Sequence, residues 1–467
     1  MTLTPEQKGR FGLVAIILGN TAAFIGSIDD VHGFFKTLFG YERLWLLVIL
    51  AILTIAAGFI LGFGWLYQTI LSRLTGSRKI VVTVVMLLVV GTGFYANAVL
   101  ISRQEPLDSK LVGQIPTWCK RLWHIQVPKG GFRIDWRDPS APPQVWTTAQ
   151  VLKGMLVACP EVTSHPDQIK LAFDYIETAR RQDENEGWGY FEPQLPAVTE
   201  IAAWVTLARV ESLNVGHIWK GAEQPKVISH IERDLALLIR RQDAKGGWSP
   251  IKEVEASLTR TYSTVMAIWS LIEAKRNAAI TQKIGSRFDT PIRNGIQWLL
   301  NHHNSNLGWI PNPHRQFQVK KHLALTAQVL YVLSRAESIV PELPTDAQYR
   351  KAKSDFFANA AELGTRDVSA DDYISDSDQY LLPTNFQLEG STFLWWPWTL
   401  LTTIELTKDP LLSQSDRETA VLLRSQLMTK ADKLFTYVDS GPTYIVAENL
   451  FCVFTSLKSM QVGKATS

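Results

Sequence analysis

The sequence predicts an all-α protein in which N-terminal transmembrane helices are followed by an (α/α)6 toroid of six helix pairs. Three observations predict this fold class. Long uncharged stretches occur only near the N-terminus. The remaining chain repeats a short element ending in Gly and an aromatic residue, with aromatics at Phe132, Trp188, Trp248 and Trp309. Between these elements, amphipathic helix patterns alternate with helix patterns that are apolar on nearly every side.

The composition divides the chain into two unlike parts. Of its 467 residues, 46% are apolar and 19% are charged, below the ~25% charged that is usual in soluble domains. Residues 1–103 contain eight basic and four acidic residues, so the other 364 contain 39 basic and 40 acidic ones. A ring domain with a net charge of −1 argues against nucleic acid as a partner, because binding phosphates needs a basic face.

The N-terminal part, residues 1–103, is predicted to be a membrane domain with about three transmembrane helices. They are placed at 11–28, 44–66 and 80–102, in stretches free of charged residues. The last two stretches exceed the ~20 residues that a membrane-spanning helix needs. The first span has an alternative interpretation as a cleaved signal peptide. The predicted partner of this domain is the lipid bilayer, and its helices also leave room for a homo-oligomer.

Basic residues predict the side of the membrane on which the ring lies. The loop 73–79 contains three basic residues and no acidic one, which favours the cytoplasmic side. The ring would then be periplasmic, in a protein of the bacterial inner membrane. The cysteines argue mildly for the cytoplasm instead, because Cys119, Cys159 and Cys452 are odd in number and are expected to be buried free thiols.

Residues 104–467 are predicted to form the toroid. Each copy of the repeat begins with a Gln six residues before the aromatic, as in Gln126, Gln182 and Gln242, and a fourth copy has His303 at this position. An amphipathic helix precedes each element and an apolar helix follows it. Closing six such pairs into a ring removes the need for polar capping repeats at the two ends. The six apolar, inner helices are predicted at 146–157, 198–210, 261–274, 323–336, 391–406 and 444–457.

These Gln-x5-Trp elements resemble the QW repeats of squalene-type terpenoid cyclases and the related repeats of protein prenyltransferase β subunits. The resemblance covers residues of about 110–460. It implies the (α/α)6 toroid and a structural role for the Gln and Trp residues, in which Gln ties an outer helix to the next helix.

The sequence lacks the chemical elements that this resemblance would imply. It contains no Asp-x-Asp-Asp acid and no Asp-x-Cys zinc ligand pair. An acidic cluster at 367–378 has the wrong spacing for the first and is expected to be solvated, with a divalent-cation site as its alternative. We therefore expect no metal and no cofactor.

Polar residues on otherwise apolar inner helices are the candidate site. A buried charge is costly unless it is paired or faces a cavity, so Glu200 and Glu448 are the predicted catalytic acids. The competing interpretation is a structural ion pair with Arg260 or a nearby lysine. The predicted ligand-binding residues are Arg260, Tyr262, Trp269, His322, Trp395 and Trp396.

Three functions remain open from the sequence. The first is a membrane-anchored ring that binds a hydrophobic or elongated small molecule, or a partner protein, as a sensor, scaffold or membrane effector. The second is a cyclase or transferase acting on an isoprenoid or other lipid through a non-standard acid. The third is a ring that processes carbohydrate or peptide, since (α/α)6 toroids also support such chemistry.

Overall fold

A computed structural model describes the ring and leaves the N-terminal part undescribed. The described residues are 107–182, 186–189, 197–251, 259–314, 321–365, 371–373, 392–431, 433 and 442–465. The three predicted spans, at 11–28, 44–66 and 80–102, lie outside these residues. No helix among the described residues is long and apolar enough to cross a membrane.

The described elements are helices apart from one short antiparallel ribbon. In chain order they are α1 (Leu107–His124), α2 (Val145–Ala158), α3 (Pro166–Thr178), α4 (Thr199–Asn214), α5 (Glu223–Arg240), α6 (Thr261–Arg276), α7 (Ala278–Ile284), α8 (Asp289–Asn301), α9 (Leu323–Ala336), α10 (Ala347–Ala358), α11 (Ala360–Thr365), β1 (Asp371–Tyr373), β2 (Thr392–Leu394), α12 (Trp395–Leu406), α13 (Gln414–Met428) and α14 (Thr443–Ala465). The all-α class predicted from the repeat is confirmed.

Six helices form a closed inner ring. Helix α2 packs on α4, α4 on α6, α6 on α9, α9 on α12, α12 on α14, and α14 packs back on α2. These helices are apolar on nearly every side; in α2, every residue except Val157 is buried. Outer helices bury only one stripe, which in α5 includes Val227, Ile231 and Leu238. The alternation of apolar and amphipathic helices in the sequence therefore corresponds to the inner and outer layers of the toroid.

The Gln and Trp residues of the repeat hold neighbouring helices together, as predicted. The indole Nε1 of Trp248 donates to the Leu238 carbonyl in the last turn of α5, at 2.7 Å. That turn has carbonyls without partners inside the helix. The amide Nε2 of Gln242 donates to the Pro291 carbonyl in the first turn of α8, at 2.9 Å. Equivalent bonds join Gln126 to Gln168 and Trp309 to Leu299.

The glycine of the element lets the turn pass close to the next outer helix. Gly246 has a φ of +98°, which side chains other than glycine rarely tolerate. A Cβ on Gly246 would also collide with the Asn294 carbonyl of α8. Gly130 has the same conformation, with a φ of +97°, against Leu171 of α3.

The centre of the inner ring is filled with aromatic side chains. The Trp269 ring of α6 lies 5.5 Å from Trp204, 5.8 Å from Tyr331, 5.9 Å from Trp398 and 5.4 Å from Phe451, measured between ring centroids. These five residues, which we call the aromatic plug, come from five different inner helices and are at most 4% exposed. A ligand therefore has to enter the described ring from one of its ends.

One expectation about cysteine is wrong. Cys119 of α1 and Cys159, which follows α2, form a disulfide bond. Cys452 is free and buried, as expected. The pairing depends on where α1 docks against the end of α2, and the local sequence pattern around Cys119 carries no information about that.

Candidate functional site

Connections of unequal length distinguish the two ends of the inner ring. Long connections such as 302–322 and 366–394 lead into the N-termini of inner helices, whereas shorter ones such as 337–346 and 407–413 leave their C-termini. We call these the N-terminal and C-terminal ends of the ring. Because binding residues are commonly supplied by loops on a rigid scaffold, the N-terminal end is the place to look for a site.

Glu200 lies in the first turn of α4, at the N-terminal end. Its side chain is buried, and Ser263 of α6 donates a hydrogen bond from Oγ to its Oε1. Its other oxygen, Oε2, has no hydrogen-bond partner in the described part of the chain. Burial raises the pKa of Glu200 to about 7, and the hydrogen bond from Ser263 opposes this rise only in part. A carboxyl group with such a pKa can donate or accept a proton near neutral pH.

Two buried arginines lie close enough to Glu200 to act on its charge. Their positive charges work to lower the pKa of Glu200, against the effect of burial. Arg260 directly precedes α6 and is 2% exposed; Arg241 directly follows α5 and is 7% exposed. Arg241 donates from Nη2 to the Glu186 carbonyl oxygen at 2.8 Å, while its Nε and Nη1 have no acceptor among the described residues. Burial lowers the pKa of Arg241 to about 10.

Two further predicted residues connect this site to the rest of the ring. Tyr262, next to Ser263 in the first turn of α6, accepts a hydrogen bond at 3.2 Å from the indole Nε1 of Trp204 in the aromatic plug. The plug therefore lies beneath the first turns of α4 and α6. His322 is the residue before α9 and is 5% exposed, so it lies at the N-terminal end but on another inner helix.

A histidine pair on the connection between α8 and α9 belongs to the same side of the ring. The rings of His302 and His314 lie 5.7 Å apart, and His302 stacks on Trp298 at 4.1 Å. Partial burial, together with the neighbouring His302 and Arg260 side chains, lowers the pKa of His314. Since Arg260 acts on both Glu200 and His314, we treat the α4, α6 and α8–α9 region as one candidate site.

Glu448 occupies a different part of the ring. It lies in the second turn of α14 and accepts a hydrogen bond at 2.9 Å from the indole of Trp398. Burial raises its pKa to about 8. Helix α2 separates α14 from α4 in the inner ring, so the structure assigns the two predicted acids to different sectors.

The predicted tryptophan residues are packed inside the protein. Trp269 is the hub of the aromatic plug and is 1% exposed. Trp396 donates to the Leu427 carbonyl of α13 at 2.7 Å, the same role that the repeat tryptophans play, and Trp395 beside it is fully buried. We do not include these three in the candidate site.

Sequence reasoning missed Arg241, Ser263 and His302. Arg241 precedes Gln242 in a repeat element and therefore looked purely structural. Ser263 did not stand out because it is one of several small residues on α6. His302 precedes the histidine that replaces Gln in the fourth repeat, and this doubled histidine was the available signal.

The acidic cluster predicted at 367–378 is described only in part. Asp371 and Asp372 belong to β1, which pairs with β2 through Leu394 and Phe393. Asp367, Asp376 and Asp378 lie outside the described residues. No cluster of His, Cys, Asp and Glu able to hold a metal ion occurs among the residues that the structure describes.

Comparisons with known proteins find the fold in solved structures. No family model and no curated protein matches the sequence. A D-mannose isomerase matches with 14% identity and a TM-score of 0.54 over 75% of this chain and 99% of its own. Cellobiose 2-epimerase from Spirochaeta thermophila matches with 11% identity and a TM-score of 0.53 over 76% and 97%. A GH76 α-mannanase of Bacteroides thetaiotaomicron matches with 9% identity and a TM-score of 0.51 over 77% and 99%.

These matches correct the resemblance and the functions drawn from it. These similar solved structures include a mannose isomerase and sugar epimerases, and the assignment to terpenoid cyclases and protein prenyltransferases was wrong. The interpretations as a membrane sensor, scaffold or effector and as a lipid- or isoprenoid-modifying enzyme fall with it. The Gln-x5-Trp elements led to the wrong family because they hold helices together and do not indicate which reaction a toroid catalyses. At such low identities, what the likenesses show is the fold, an α/α toroid.

Proposed function

We propose that the chain is a carbohydrate-processing enzyme that carries out acid–base chemistry on a sugar at the N-terminal end of its ring. The observation that carries the proposal is Glu200, a buried carboxyl group with a pKa raised to about 7 and one oxygen without a partner in the described chain. The fold supports the substrate class, because solved toroids of similar structure are named as a mannose isomerase, sugar epimerases and mannanases. Of the three functions left open by the sequence, the proposal retains the third, a ring that processes carbohydrate.

Glu200 is assigned the role of proton donor. Ser263 holds Oε1, so the proton is carried on Oε2, the oxygen without a partner. A protonated carboxyl group can transfer its proton to a leaving glycosidic oxygen or to a ring oxygen of the sugar. His314, whose lowered pKa leaves it neutral near pH 7, is the candidate base on the same side of the ring. The aromatic plug closes the floor of the site and keeps bulk water from reaching it through the ring.

The experiment is a turnover assay with the purified full-length chain. Neutral and acidic aldoses and oligosaccharides are followed by NMR, which detects both bond cleavage and epimerisation. We expect Glu200→Gln to reduce turnover by ~10²- to 10⁴-fold, the usual contribution of a positioned acid. The matched control is Glu223→Gln, an acid-to-amide change at an exposed residue of α5, and it should retain full turnover. Unchanged turnover in Glu200→Gln, or no sugar bound or converted by the native chain, contradicts the proposal.

We also propose that the ring lies in an oxidising compartment, as the basic loop 73–79 predicts. The disulfide between Cys119 and Cys159 supports this, because such bonds persist mainly outside the cytoplasm. Alkylation of the protein, denatured without reductant directly from cells, should modify one of its three cysteines, Cys452. All three should react after reduction. Three modified cysteines before reduction would place the ring in a reducing compartment.

A further inference from the structure

Arg241 differs from the other buried arginines near it in how its donors are used. A guanidinium group has five hydrogen-bond donors and is always charged near neutral pH. Arg180, also buried at 5% exposure, binds the carboxylates of Asp234 and Glu186, each at 2.5 Å, although its Nε has no acceptor among the described residues. Arg241 binds one neutral acceptor, the Glu186 carbonyl oxygen, and its Nε and Nη1 have no acceptor among the described residues.

The charges around Arg241 do not balance when the site is ready to act. Glu200 is the carboxyl group whose charge acts most on Arg241, yet the oxygen Oε2 of Glu200 and the atoms Nε and Nη1 of Arg241 have no hydrogen-bond partner among the described residues. Once Glu200 carries the proton that it donates, its negative charge is gone. The positive charge of Arg241 then remains in a buried place beside Glu186, whose carboxylate is already bound by Arg180 and Arg240, and a buried charge without a direct counter-charge is unfavourable.

From this unmatched arginine, we infer that the site recognises a negatively charged group on its sugar, the carboxylate of a uronic acid. The inference rests on the proposed function and names its substrate class. A carboxylate oxygen can accept from Nη1 or from Nε, which lie on different edges of the guanidinium, while the bond from Nη2 to the Glu186 carbonyl oxygen is kept. It also supplies the negative charge that protonated Glu200 no longer provides. Charge-assisted hydrogen bonds of this kind are stronger than neutral ones, and arginine is well suited to them.

A phosphate group offers the same acceptor oxygens and negative charge, so the experiment compares both sources. Binding of glucuronate, glucose 6-phosphate and glucose to the full-length chain is measured by isothermal titration calorimetry at pH 7. We expect at least ~10-fold tighter binding of glucuronate than of glucose, the scale of one charge-assisted hydrogen bond. Tighter binding of glucose 6-phosphate than of glucuronate would overturn the carboxylate assignment.

The decisive variant is Arg241→Gln, with Arg240→Gln as its matched control. Arg240 is the preceding residue, its side chain is 58% exposed, and it binds the Glu186 carboxylate. Arg241→Gln should lose the preference for glucuronate and still bind glucose, which also shows that the variant is folded. Arg240→Gln should retain the preference. If Arg241→Gln does not fold, Arg241→Lys provides the test, because it keeps the charge but has fewer and differently arranged donors, and it should weaken glucuronate binding more than glucose binding.

The outcomes separate this inference from the proposed function. If the native chain binds and converts neutral and acidic sugars equally well, the anion site is wrong while the carbohydrate enzyme stands. A preference for glucuronate that survives in Arg241→Gln also overturns the inference. If no sugar is bound at all, the proposed function fails, and the substrate class fails with it.

Discussion

The two ends of the inner ring differ in whether their buried charges have an opposite charge in direct contact. At the C-terminal end, Lys153 of α2 binds Glu211 of α4 at 2.5 Å, and Arg335 of α9 binds Glu273 of α6 at 2.9 Å. Burial works to raise the pKa of Glu273, but the charge and hydrogen bond of Arg335 outweigh it and lower that pKa. Each of these charges has an opposite charge in direct contact.

At the N-terminal end, Glu200 and Arg241 have no opposite charge in direct contact among the described residues, although Arg180 nearby is paired with two carboxylates. The Glu200 carboxyl group accepts a hydrogen bond from a neutral serine, and burial raises its pKa to about 7. Arg241 keeps Nε and Nη1 without acceptors. Paired buried charges hold a scaffold together, whereas incompletely paired ones with shifted pKa values mark a place prepared for a substrate. The contrast therefore separates the end of the ring with directly paired charges from the end where we propose the site.

The largest effect on stability is expected where pairing is complete. Asp234 of α5 accepts from both Arg180 and Arg209, and all three are buried. Asp234→Asn should lower the free energy of unfolding by about 3–5 kcal/mol, because it leaves two buried arginines without their shared counter-charge. Urea denaturation monitored by circular dichroism measures this. A loss below about 1 kcal/mol would mean that pairing contributes little to the scaffold.

At the proposed site, the same acid-to-amide change should have the opposite effect and stabilise the fold. The pKa of Glu200 is raised from 4.5 to about 7 in the folded chain, so its contribution to stability is fully present below pH 4.5 and is lost as the pH rises through 7. Glu200→Gln carries no charge and avoids this loss. Its free energy of unfolding, relative to the native chain, should therefore rise between pH 5 and pH 8 by roughly 3 kcal/mol.

Urea denaturation across this pH range gives the measurement. Glu448→Gln is the matched comparison, and its relative gain should continue to about pH 8, where the pKa of Glu448 lies. A pH-independent difference for both variants would show that the two carboxyl groups are not held protonated by burial.

The smallest effect on the free energy of unfolding is expected for an exposed ion pair at the surface of the ring. Lys170 of α3 and Glu223 of α5 form an ion pair at 2.9 Å, with the Glu223 side chain 44% exposed. Solvent screens such a pair and its side chains lose entropy in forming it. Glu223→Gln should leave the midpoint of urea denaturation unchanged. A shift as large as that of Asp234→Asn would remove the distinction between buried and exposed pairing.

The part of the site that could be predicted is the part that interrupts a pattern. Glu200 was recognisable because it is an acid on a largely apolar helix, and the same pattern pointed to Glu448, which lies in another sector of the ring. Arg241 was not, because it sits in a repeat element where arginine is ordinary. Ser263 was not either, since its importance comes from one hydrogen bond to a residue in the preceding repeat.

By itself, the sequence determined the alternation of inner and outer helices, the spacing of the repeats and the fastening role of their Gln and Trp residues. Those features are local or join neighbouring repeats, so hydrophobic periodicity and a recurring motif suffice to predict them. Only the tertiary structure decided that aromatic side chains fill the centre of the ring and that Cys119 pairs with Cys159. It also decided that burial raises the pKa of Glu200 near Arg241, an arginine with hydrogen-bond donors that have no acceptor among the described residues. These outcomes depend on how far each group is removed from water and on which groups other helices place against it, and no segment of the chain contains that information alone.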